Sequence, residues 1–173
     1  QAWAPGFGVD FAVDEAGKAC VLAEAGLLCA SAAGGTLALE VPVSQLTARL
    51  PPTAEVVAES GGVLPDGATF EGLELTSLVR SGRTARWFIT AQLRFRHPLG
   101  AVLSERARVL FEVSAAGARV VAGPSANPFN PAANLETLSL DEPRGLVFVT
   151  SGRPNASPTF FGANGERTRR GPS

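Results

Sequence analysis

The clearest alternation of apolar and polar positions lies between residues 83 and 114. In RTARWFITAQLRFRHPLG the apolar set is Ala85, Trp87, Ile89, Ala91, Leu93 and Phe95. Thr84, Arg86, Thr90, Gln92, Arg94 and Arg96 fall between them. A period of two marks a strand with one face on a core. AVLSERARVLFEV repeats the pattern through Leu103, Ala107, Val109, Phe111 and Val113. Pro98-Leu99-Gly100 is a turn, since Pro98 sets φ and Gly100 accepts a left-handed conformation. The two runs predict a long hairpin. Its pairs are Phe95 with Leu103, Ile89 with Val109, Trp87 with Phe111 and Ala85 with Val113, and Arg86 meets Glu112 on the other face. A slip of one residue would turn every apolar side chain outward. Two positions interrupt the pattern. Glu105 falls on the apolar face opposite Leu93. Phe88 faces Leu110 on the arginine-rich face, an apolar pair that is covered either by another part of the chain or by a partner.

The N-terminal third predicts a meander. Val9, Phe11 and Val13 alternate with Asp10, Ala12 and Asp14, which reads as a half-buried strand, and Glu15-Ala16-Gly17 fits a three-residue loop closed by a left-handed glycine. In that register Phe11 faces Val21, Val13 faces Ala19 and Asp14 faces Lys18. Glu-Ala-Gly recurs at 24–26. A three-residue loop there would send Cys20 and Cys29 to opposite sides, whereas a turn over Ala23–Gly26 sets them face to face. Two cysteines in an exported chain favour pairing, so the second register and a Cys20–Cys29 disulfide are expected. Strands are expected over about 7–14, 18–23, 27–31 and 36–43, with Pro42 marking an edge or an end.

Elsewhere the signals are shorter. Ser44–Leu50 reads as a helical turn stopped by Pro51-Pro52. Ala54–Ala58, Glu71–Val79, Ala118–Ala122 and Leu146–Thr150 read as strands, and Pro131 opens a short helix over 130–136. About ten strands with tight turns predict an all-β fold, an antiparallel β-sandwich of immunoglobulin-like or jelly-roll-like form. One domain is expected over 1–151, followed by an extended Gly/Pro/Arg-rich tail over 152–173.

Composition adds the setting. The chain has 173 residues, 45% hydrophobic and only 18% charged, which is too apolar for disorder. No apolar run is long enough to span a membrane as a helix. A chain that starts at Gln1 and contains no Met reads as an exported protein trimmed of its signal peptide, placed outside the cell or in its envelope. The net charge of −1 hides an asymmetry. Residues 1–74 carry ten acids against Lys18 and Arg49, and residues 75–173 carry thirteen arginines against six acids.

Candidate chemistry is sparse. His97 is the only histidine and sits in the hairpin turn. Ser125 lies in GPSAN, which lacks the second glycine of a nucleophile elbow, so a triad with His97 and Asp141 is not expected. Asp66 to Glu71 lacks the spacing of a calcium loop, and a Cys-x8-Cys pair with one histidine makes no standard zinc site. Catalytic residues, metal and cofactor are therefore all expected to be none. The arginine face has no interleaved exposed aromatics, so no nucleic-acid partner is expected. The functional expectation is an exported, non-enzymatic structural or assembly domain of the cell surface, a filament or surface-layer subunit. Its partners would be copies of itself or another envelope protein. A secreted ligand- or carbohydrate-binding accessory module is the alternative, with Trp3 the aromatic left for sugar stacking. The candidate interface joins Phe88 and Leu110 as a floor, Phe160 and Phe161 as docking side chains, and the Arg167, Arg169 and Arg170 cluster as a mate for the acidic first half.

Overall fold

The computed structural model describes residues 10–14, 16–30, 33, 35–50, 67–100, 102–103, 108–122, 137–141, 146–150, 159–162 and 167–168. The fold is mostly β, as the alternation predicts, and every strand pairing is antiparallel. A first sheet of four strands runs in chain order: β1 (Phe11–Val13), β2 (Ala19–Ala23), β3 (Gly26–Ala30) and β4 (Ala38–Pro42). Both expected registers appear, the second around a two-residue turn at Glu24-Ala25 where a four-residue loop was expected. Phe11 pairs with Val21 and Val13 with Ala19, and Cys20 pairs with Cys29. The disulfide between these cysteines spans a Cα–Cα distance of 4.1 Å. Gly26 is required by packing as well as by the turn. Its φ is +136°, and a Cβ there would lie 2.0 Å from the Val41 carbonyl oxygen, because β4 passes over it into a short helix α1 (Val43–Thr47). Pro42 is the last residue of the edge strand β4.

The second sheet holds the predicted hairpin. Its path is β5 (Thr69–Ser81), β6 (Arg86–Arg96), β8 (Arg108–Ser114) and β9 (Gly117–Ala122), with the short β7 (Val102–Leu103) also on β6. The expected pairing holds near the turn, where Phe95 meets Leu103. Beyond it the partners move by two. Trp87 pairs with Val113, Ile89 with Phe111, Ala91 with Val109 and Phe88 with Glu112. The register of β8 on β6 is therefore two residues out of step with that of β7. A shift of two keeps every side chain on its face, so the buried set survives although the expected pairs do not. Ala85 belongs to the β5–β6 turn with φ +53° and pairs with nothing on β8. Glu105 falls outside the described residues.

A third sheet contains β10 (Thr137–Asp141), β11 (Leu146–Thr150), β12 (Thr159–Gly162) and β13 (Arg167–Thr168). The segment expected to be an extended tail contributes the last two. The strand expected at 54–58 and the helix expected at 130–136 lie outside the described residues.

One core cluster joins the first two sheets. Cys20, Leu22, Leu27, Cys29 and Val41, with Leu46 of α1, pack on Leu75, Leu78, Trp87, Ile89, Phe111 and Val113. On the opposite face of the five-stranded sheet, Phe88, Leu110 and Val121 are packed with Leu138 of β10. Asp10 ties the first two sheets together. Its carboxylate accepts hydrogen bonds from Leu78 N (2.8 Å) and Ser77 Oγ (3.1 Å), immediately after the bulge between Leu75 and Ser77 in β5.

Candidate interaction surface

The two sides of the first sheet follow from the disulfide. Cys20 and Cys29 are 2% and 3% exposed and point into the core. Strand parity then sends Leu22, Leu27 and Ala12 the same way and Phe11, Val13, Ala19, Val21, Leu28 and Ala30 outward. A strand read as half-buried from its Phe and Val positions is thus reversed. The small Ala12 faces the core, and Phe11 and Val13 face solvent at 74% and 57% exposure. The cystine supplies the reason, because Ala12 pairs with Cys20 and must share its side. Leu39 pairs with Leu28 and stands 47% exposed. Phe11, Val21, Leu28 and Leu39 therefore form one register line across all four strands. No polar side chain stands among the outward positions of β1 to β3.

Phe88 and Leu110 are 3% and 0% exposed, and Leu138 of the same chain covers them, so this pair is no open floor. In the third sheet Phe161 pairs with Val147 and Arg167, and Phe160 with Phe148 and Thr168, which puts β12 two strands away from β10. Arg169 and Arg170 lie outside the described residues.

The charged groups mostly serve the fold. Glu112 has a side chain only 5% exposed and is held by Arg86 at 3.0 Å and by Arg119. Arg96 pairs with Glu71. Asp14 was expected to face Lys18 as a charge pair. It accepts instead the Lys18 backbone N–H at 2.7 Å and approaches Arg80 at 3.5 Å, while the Lys18 ammonium pairs with Glu40. Arg80 also lies over the Trp87 ring, 5.1 Å from its centroid. His97 Nδ1 accepts the Leu99 N–H at 3.0 Å, and the Gly100 N–H reaches the His97 carbonyl at 2.8 Å, which is the work of a turn residue. Among the described residues no three His, Cys, Asp or Glu side chains gather as a metal site, and no helix is long and apolar enough to cross a membrane.

Two features escaped the sequence reading. The outward apolar row was legible only by carrying the cystine's parity across to β1. The bracing role of Asp10 had no local signal, because its partners lie 67 and 68 residues away. No protein-family model, curated protein or solved structure matches the chain.

Proposed function

We propose that this protein is a non-enzymatic assembly domain that works outside the cytosol, as a structural subunit at the cell surface whose partner is another copy of itself. The observation that carries this reading is the apolar row Phe11–Val21–Leu28–Leu39, crossing a whole sheet on its solvent side. Its end members Phe11 and Leu39 are exposed and Val21 and Leu28 between them are half-buried, and apolar side chains left in water on one face mark interaction sites. Such a row offers no hydrogen-bonding group to orient a sugar or a small polar substrate. The core shared by the first sheet and the five-stranded sheet supports a sandwich, a rigid body suited to a structural role. The Cys20–Cys29 disulfide supports an oxidising compartment.

The test is recovery of the native protein from cell fractions. Recovery from the cell exterior as an assembly of more than one copy supports the proposal. A strictly monomeric cytosolic protein sinks it.

A further inference from the structure

Cys20 and Cys29 are 2% and 3% exposed and share one core cluster with Leu46, Leu75, Leu78, Trp87 and Ile89. Thiol–disulfide exchange needs a thiolate to reach one of the two sulfurs, and this packing shuts it out. The bond does not cross the interface that hides it. Both cysteines stand on neighbouring strands of the first sheet, nine residues apart. The helix α1 follows β4 directly, so the first sheet and α1 make one stretch of chain between residues 10 and 50. Among the described residues, no strand of this stretch pairs with a strand of the five-stranded sheet. What holds the two sheets together is the apolar cluster and, among the described residues, two carboxylates that flank β1. Asp10 accepts from Leu78 N and Ser77 Oγ, and Asp14 faces Arg80 at 3.5 Å. The stretch can therefore lift away as a unit without breaking a backbone ladder or the disulfide.

We infer that the contact between the two sheets is a gate on the Cys20–Cys29 bond: a dithiol reduces it only when the first sheet undocks, with the five-stranded sheet still folded. The inference goes beyond the assembly reading and does not depend on it. The step is a two-electron exchange. One thiolate of the dithiol attacks a cystine sulfur, and the other cysteine leaves as a thiolate. The reagent's second thiolate then attacks the mixed disulfide and frees the first cysteine. The reagent closes to its own disulfide, and the two protons it gave up end on the two cysteine thiols. Asp10 is the latch. Its bonds to Leu78 and Ser77 exist only while the sheets are docked, so they add to the free energy of opening. The packing of Phe88, Leu110, Val121 and Leu138 on the far side of the five-stranded sheet is the same before and after undocking, so it drops out of that equilibrium. This difference separates undocking from global unfolding.

The experiment is reduction of the full chain by dithiothreitol, sampled over time by alkylation and read as the mass of the Cys20 and Cys29 peptides. The expected rate in native buffer is at least about a hundredfold below that of the urea-unfolded chain, and it rises with urea less steeply than global unfolding does. Asp10→Ala speeds reduction at least about tenfold. Leu138→Ala weakens the far-side packing and changes the rate by less than about twofold, and Val121→Ala takes its place if that variant does not fold. Hydrogen exchange under the same conditions keeps the Ile89 and Phe111 amides protected while the cystine is being reduced. A parent reduced as fast as the unfolded chain shows that the core is no cover, and overturns the inference. So does an Asp10→Ala variant reduced at the parent's rate. If Leu138→Ala speeds reduction as much as Asp10→Ala does, and the urea slope is that of full unfolding, the cystine is reached by global unfolding and the gate does not exist.

Discussion

Asp10→Ala is the substitution whose cost is most directly worked from the structure. The Asp10 carboxylate accepts from Leu78 N at 2.8 Å and Ser77 Oγ at 3.1 Å, and its other oxygen accepts the neighbouring Phe11 N–H at 2.9 Å. The Phe11 bond is local and exposed and contributes little. The other two cross from the first sheet to β5. The Leu78 N–H stands just past a bulge, with Leu78 only 5% exposed. Hydrogen bonds to a charged group contribute about 1.5–3 kcal/mol each, and a buried donor left unpaired costs about 1–3 kcal/mol. Allowing for relaxation of the Ser77 hydroxyl, Asp10→Ala is expected to cost about 2–4 kcal/mol. Asp10→Asn keeps one oxygen for Leu78 N and loses the charge, so about 1–2 kcal/mol is expected. Ala in place of the exposed Glu24 is the control, within about 0.5 kcal/mol. Urea unfolding reads all three as midpoint shifts at constant slope. If Asp10→Ala falls within about 1 kcal/mol of the parent, the carboxylate does not brace the two sheets and the reasoning is refuted.

Three further outcomes follow from local geometry. Gly26→Ala is expected to cost more than about 3 kcal/mol, because the new Cβ meets the Val41 carbonyl at a backbone conformation an L side chain rarely adopts; near-normal expression and melting would contradict it. Ala85→Gly is expected to raise stability by about 0.5–1 kcal/mol, since φ +53° strains a residue with a Cβ, and thermal melting measures the sign. Replacing both Cys20 and Cys29 by Ala is expected to cost about 2–3 kcal/mol in the chain-entropy model, and non-reducing peptide mapping of the parent should show the two peptides linked.

Strand periodicity and turn chemistry were local enough to be read from residues alone. The β1–β2–β3 register, the Cys20–Cys29 alignment, and the burial of Trp87, Ile89 and Phe111 all follow from neighbours a few residues apart, or from a period of two that only one face can satisfy. Tertiary structure decided which face of β1 meets the core. Phe11 and Val13 are the larger side chains, and apolarity alone would bury them; the cystine and Leu22 fill the inward side and leave room only for Ala12. It also decided the two-residue shift in the long hairpin, which pattern matching passes over because it preserves the faces. The cover over Phe88 and Leu110 comes from Leu138, and the brace on β5 comes from Asp10. These contacts join residues many tens of positions apart, where no period or spacing in the chain records the approach. The sequence by itself thus settled the strands of the first two sheets with clear alternation and most of which side chains share a face, but not β10, β12 or β13, whose short runs carry too little alternation to stand out. The meeting of the sheets settled which apolar face was left in water, because a core of fixed volume accepts one side of each strand and no more.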